Sequence, residues 1–206
     1  MTTHHTRRAA VLGSPVAHSL SPVLHRAAYH ALGLDSWRYD AVECDEAALP
    51  GFVGGLDTTW AGLSLTMPLK RAVLPLLAAA SPLVAETGGA NTVVFGDEGP
   101  YGHNTDVYGI VEALREAGVT RVGAATILGG GATAASALAA LRELGLDKVA
   151  VVVRDPARTG GLLGAAGRLG IAVAVRTFDR PAFDTELVIS TLPSGAADPF
   201  ADRLAA

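Results

Sequence analysis

The stretch ILGGGATA, residues 127–134, fits G-x-G-x-x-A at Gly129, Gly131 and Ala134, between an apolar run and an alanine-rich segment of helical character. Glycines let a backbone turn sharply beside a pyrophosphate, while the amides and dipole of the helix that follows favour its negative charge. Gly129, Gly130, Gly131 and Ala132 are therefore candidate contacts to a dinucleotide; with no ligand, the same letters make an ordinary strand-to-helix turn. About 20 residues further on, an NAD site offers a carboxylate to the adenosine ribose. Here the apolar run KVAVVV ends at Val153 and is followed by Arg154, Asp155 and Arg158. Two guanidiniums at a strand end suit a 2′-phosphate, to which each can make paired, charge-assisted hydrogen bonds, so NADP is the expected cofactor. Asp155 has two other uses, as a ligand of ribose hydroxyls or as a cap for the turn that starts at Pro156. Thr191, after the last apolar run, completes the candidate cofactor set.

A second polar set recurs at the ends of apolar runs in the first half: Ser19 and Ser21, Thr66 and Lys70, Asn91, then Asn104 and Asp106. In parallel sheets ligands bind beyond the carboxyl ends of the strands, so these groups are placed to line one crevice. Each has a plainer use alone. Serine caps helices, an exposed lysine is usually just solvated, Asn91 suits a turn, and Asp106 suits a helix N-terminus. Ser21-Pro22 reads as a helix start with the serine as cap, which leaves Ser19 unexplained.

These groups need a framework that brings distant segments together, and the sequence supplies one. Short apolar runs alternate with helical patterns almost throughout, the signature of βαβ units and a mostly parallel sheet, so the class is α/β. Strands are predicted at 9–13, 37–44, 61–66 and 91–95, with a hairpin turn at 96–99. Helices are predicted from Ser21 to Gly33, over Glu46–Gly54, after Pro68, and from about Asn104 to Gly118. Four further strands, RVGAATIL, KVAVVV, IAVAVRTF and ELVISTL, follow Gly118. A boundary near Val119 divides the chain into residues 1–118 and 119–206.

Composition narrows the partners. Half of the 206 residues are hydrophobic, enough for a substantial core. With 16 basic and 20 acidic residues, a net charge of -4 and no dense Lys/Arg tract, nucleic acid is not an expected ligand. Cys44 stands alone, which excludes an internal disulfide, suits a reducing cytoplasm and points to a packing role. No apolar run reaches the roughly 18 residues of a membrane span, and His4 and His5 have no neighbours to complete a metal site.

Taken in series, GSPVAHSLSP, SLTMPLK, GANT, HNTD and ILGGGATA resemble, in order and spacing, the shikimate dehydrogenase family over nearly the whole chain. The resemblance implies a substrate-binding and catalytic domain over residues 1–118, followed by a Rossmann-type NADP-binding domain over residues 119–206. It implies NADPH-dependent reversible reduction of 3-dehydroshikimate to shikimate, a step of chorismate and aromatic amino-acid biosynthesis. By position, Ser19 and Ser21 hold the substrate carboxylate, while Thr66, Asn91 and Asp106 grip the ring hydroxyls. Lys70 and Asp106 form the catalytic pair, and no metal takes part.

Three departures stand out. Ser64 replaces a common Asn before the Thr, and Val153 a common Asn before the Arg. Four strands follow Gly118 where a full dinucleotide fold has about six, so the second domain is expected to be incomplete and turnover impaired. An uncovered sheet edge would leave room for a homodimer. Two rival readings are a non-catalytic nucleotide- or substrate-binding module and an NAD-dependent quinate/shikimate dehydrogenase, to which Asp155 points.

Overall fold

The computed structural model describes residues 6–181 and 183–204; His4 and His5 lie outside them. The chain forms two compact units, one made of 1–85 and 89–104, the other of 86–88 and 105–206.

The first unit holds β1 (Arg7–Gly13), α1 (Ser21–Ala31), β2 (Trp37–Glu43), α2 (Leu49–Gly54), β3 (Trp60–Leu65), α3 (Leu69–Ala72), β4 (Ala79–Ala80), most of α4 (Pro82–Thr87), β5 (Thr92–Gly96) and β6 (Gly99–His103). Its sheet runs β2-β1-β3-β5-β6-β4. β1 pairs in parallel with β2 and β3, as βαβ alternation predicts. The β5–β6 hairpin turns through Asp97 and Glu98, with Gly99 at φ +100°, and pairs antiparallel to β3, so this sheet is mixed. Alternation along β1 splits its side chains between two faces. Ala10 and Leu12 join Leu63, Leu65, Leu69 and Val93 in the main core, whereas Val11 packs with Val16 and Tyr39 on the α1 side.

Three local expectations change. α1 begins at Ser21, but that serine does not cap it: the Ser19 hydroxyl accepts the Ser21 amide at 3.3 Å, so the residue outside the helix serves its free N–H. α2 starts three residues later than its pattern suggests, because the Asp45 carboxylate takes the Ala48 amide at 2.9 Å and turns the chain before Leu49. The helix after Pro68 stops at Ala72, and the apolar segment beyond it supplies β4 and α4 instead.

The second unit holds α5 (Asp106–Glu116), β7 (Ala125–Leu128), α6 (Ala132–Glu143), β8 (Lys148–Val153), α7 (Gly160–Leu169), β9 (Ala172–Thr177), β10 (Leu187–Ser190) and α8 (Ala201–Leu204). Its four strands are all parallel, in the order β10-β7-β8-β9. α5, which precedes the boundary read from the sequence, packs within this unit against α6. α6 is buried continuously from Ala134 to Leu141, as expected for a helix apolar on every side, and its alanines allow close approach by the sheet, α5 and α7. Gly145, at φ +92°, follows the end of that helix in the left-handed conformation that favours glycine. Phe200 closes the lower core edge-on to Phe178, with ring centroids 5.1 Å apart.

Candidate active site

In the first unit the polar set is assembled by backbone hydrogen bonds between loops. The Thr66 amide donates to Leu12 O at 2.9 Å, and the Ser14 amide to Met67 O at 2.9 Å, tying the end of β3 to the end of β1. The Leu65 amide donates to Asn91 O at 2.7 Å, and the Ala90 amide to Lys70 O at 2.8 Å, so the segment before β5 is fixed to the same place. Antiparallel pairing explains this, because the start of β5 lies beside the end of β3, with Ser64 opposite Thr92. Thr66, Lys70 and Asn91, drawn from the segment 66–91, therefore share one end of the sheet with the β1–α1 loop, which carries Ser19 and leads into α1 at Ser21.

Gly13 makes the closeness workable. A Cβ there would lie 2.9 Å from Met67 O and collide with the Thr66 methyl. Leu69, fully buried, roots α3 in the core, which leaves half-buried Lys70 on a fixed backbone. Asn104, buried, donates from Nδ2 to Gly89 O at 3.0 Å and acts as a brace between loops. Asp106 opens α5 in the second unit, in the first turn, where the helix dipole favours a carboxylate.

Sequence reading missed one support. Glu43, the last residue of β2, accepts Ser14 Oγ at 2.6 Å and the Val16 amide at 3.0 Å, stapling the loop that leads to Ser19. The only signal for it was a carboxylate at the end of the strand beside β1. Glu43→Ala is expected to raise the KM for a carboxylate substrate held by that loop by about tenfold, since hydrogen bonds to a charged group are the strong ones. Steady-state kinetics with the second substrate saturating would check it, and an unchanged KM would make the staple irrelevant to binding.

In the second unit the candidate cofactor residues all follow the carboxyl ends of parallel strands. Gly129 to Gly131 follow β7, Arg154 and Arg158 follow β8, and Thr191 follows β10. Gly129 has φ +109°, and a Cβ there would collide with Thr191 Oγ1, so only glycine passes beneath Thr191. The Thr191 hydroxyl and amide both donate to Leu128 O, at 2.8 and 2.9 Å, locking β10 to the turn. Gly131 is the N-cap of α6 and makes no side-chain cap hydrogen bond, so the helix amides begin at Ala132. Those amides, together with exposed Arg154 and Arg158, fit the diphosphate and 2′-phosphate of NADP. Asp155 accepts the Ala157 amide at 3.0 Å, the capping use of its two alternatives.

Elsewhere the chemistry is quiet. Burial, then the nearby Asp45 charge, pushes the Cys44 thiol up from its ordinary value, in keeping with a packing role. Among the described residues no group of three or more His, Cys, Asp or Glu is placed to hold a metal ion, and no helix is long and apolar enough to cross a membrane.

Residues 11–93 match the family model described as shikimate dehydrogenase substrate binding domain. The chain is 37% identical over 199 residues to a shikimate dehydrogenase (NADP(+)) of Thermus thermophilus, which covers 97% of this chain and 73% of that protein. The crystal structure of Mycobacterium tuberculosis shikimate dehydrogenase superposes with a TM-score of 0.85 at 40% identity, over 97% of this chain and 76% of the other. A Thermus thermophilus shikimate 5-dehydrogenase in complex with NADP(H) and shikimate superposes with a TM-score of 0.79 at 36% identity, over 94% and 71%. With the matched domain, the shared two-unit fold and this identity over nearly its whole length, the chain belongs to the shikimate dehydrogenase family.

Proposed function

We propose that this protein is an NADP-dependent shikimate dehydrogenase, an oxidoreductase acting on a CH–OH group, which reversibly reduces 3-dehydroshikimate to shikimate. The observation that carries the reading is the backbone clamp joining residues 12–14, 65–70 and 90–91, which sets Thr66, Lys70 and Asn91 at one end of the sheet beside the Ser19–Ser21 loop. Hydroxyls of Ser19 and Ser21 hold the carboxylate, and Thr66 and Asn91 take ring hydroxyls. Lys70 presents an ammonium that can give a proton to the carbonyl oxygen as the ketone becomes an alcohol. By the family resemblance Asp106 is the second member of the catalytic pair and takes a ring hydroxyl.

The dinucleotide, when bound, supplies the hydride. The chain's part is to seat it: Gly129, Gly130, Gly131 and Ala132 at the diphosphate, Arg154 and Arg158 at the 2′-phosphate, and Thr191 over the turn. The domain reading gives substrate and catalysis to residues 1–118, with α5 packed in the second unit, and NADP to residues 119–206. The ligands are small molecules, the location is cytoplasmic, and a homodimer is the assembly to test by sedimentation.

The direct experiment is to follow NADPH formation from shikimate by the purified protein, with Lys70→Ala as control. Turnover abolished in the variant supports the reading. Tight binding of shikimate and NADP without turnover in either protein would favour a non-catalytic binding module.

A further inference from the structure

The stretch GANT carries two polar side chains, and the proposed chemistry uses only Asn91. Thr92 opens β5, half-buried, opposite Ser64 in β3 and His103 in β6. Its hydroxyl donates to Asn91 Oδ1 at 3.1 Å. The main chain around this contact is pinned. The Asn91 amide donates to His103 O at 3.0 Å, Asn91 O accepts the Leu65 amide at 2.7 Å, and Asn104 Nδ2 donates to Gly89 O at 3.0 Å just before it. What remains to be set at Asn91 is its side-chain amide. Alternation along β5 sends Val93 into the main core and Thr92 to the opposite face, so the threonine is not there to fill that core.

We infer that Thr92 is a positioning residue for substrate, holding the Asn91 amide in the pose that meets a ring hydroxyl. The inference rests on the reading of Asn91 as a ring-hydroxyl ligand. The terminal torsion of asparagine is broad, so an amide on a fixed backbone still swings unless a neighbour holds it. Threonine suits that task. Two heavy atoms on Cβ restrict its χ1, and pairing on both sides fixes its backbone, so its hydroxyl has few directions to point. Donation to Oδ1 also polarises the amide, which strengthens the bonds its N–H groups donate. A held amide then discriminates: a ligand without the matching hydroxyl leaves a polar group of the site unanswered.

Thr92→Val keeps the branched shape and deletes the hydroxyl, whereas Thr92→Ser keeps the hydroxyl, so the pair separates the bond from packing. Titration calorimetry with the full chain should show shikimate bound about fivefold more weakly by Thr92→Val, the worth of one hydrogen bond, and within about twofold of wild type by Thr92→Ser. NADP affinity should not move in either. Shikimate analogues that each lack one ring hydroxyl sharpen the readout. The analogue whose affinity is the same in wild type and Asn91→Ala marks the hydroxyl that Asn91 takes, and it should bind Thr92→Val and wild type alike. Thr92→Val added to Asn91→Ala should cost shikimate nothing further. Equal losses for shikimate and that analogue in Thr92→Val would overturn the inference, because they mean a merely structural role, and so would a loss in Thr92→Ser as large as in Thr92→Val. Wild-type shikimate affinity in Thr92→Val beside weakening in Asn91→Ala would also overturn it, and leave the ring-hydroxyl reading intact. Unchanged shikimate affinity in Asn91→Ala would overturn both.

Discussion

Lys70→Met is expected to lower kcat for shikimate oxidation by about 10²–10⁴-fold, the range for removing a positioned proton donor or acceptor. Shikimate affinity should change far less, because carboxylate and ring contacts from Ser19, Ser21, Thr66 and Asn91 remain. Methionine keeps the length and apolar stem of lysine, so the buried anchor at Leu69 and the bond from the Ala90 amide to Lys70 O are undisturbed. Lys70→Arg should not restore the rate. A guanidinium carries charge but releases a proton too reluctantly to cycle in the reversible reaction, and its planar fork does not reproduce a compact ammonium. Steady-state rates with calorimetric shikimate affinities would check both variants. A kcat within a few-fold of wild type in Lys70→Met would remove the lysine from proton transfer.

The residues in this prediction could be read from the sequence because their chemistry is unusual for their setting. Paired serines before a helix, and a lysine after Thr-Met-Pro, break the surrounding apolar pattern. Glu43 breaks nothing. It sits in β2, where alternating large and polar side chains are what any half-buried strand shows, and its role arises only when β2 pairs with β1 and the loop after β1 comes to rest on its carboxylate. Regular elements with strong patterns, such as β8 at Lys148–Val153 and α6, match their predicted places closely. β4 did not announce itself. Its two alanines pair with Tyr101 and Gly102, and the flanking Ala78 and Ser81 amides donate to Pro100 O and Gly102 O, so tertiary partners rather than local preference make it a strand. The Ser21 cap failed for a related reason: the spacing shows where a helix starts, but which of two nearby serines reaches the free amide depends on the loop held by Glu43.

The second large effect concerns the cofactor. Arg154→Ala combined with Arg158→Ala should weaken NADP by about 10²–10⁴-fold, if each guanidinium makes a charge-assisted bond to the 2′-phosphate. NAD, which lacks that phosphate, should bind both proteins alike, so the preference itself collapses. The two arginines flank a turn with little freedom. The Asp155 carboxylate takes the Ala157 amide at 3.0 Å, the Arg158 amide donates to Asp155 O at 3.2 Å, and the Thr159 hydroxyl donates to Pro156 O at 2.7 Å. Such a turn limits the entropy lost when the side chains close on an anion. It also commits one oxygen of Asp155 to the cap, which weakens its claim on ribose hydroxyls and with it the case for NAD. Because both arginines are exposed, their attraction is open to screening, and wild-type NADP affinity should fall as ionic strength rises from about 0.01 to 0.15 M while NAD affinity moves less. Fluorescence titration of both nucleotides at two salt concentrations separates these contributions. An unchanged NADP-to-NAD ratio in the double variant would mean that the arginines are ordinary surface charges and that NADP selectivity is set elsewhere.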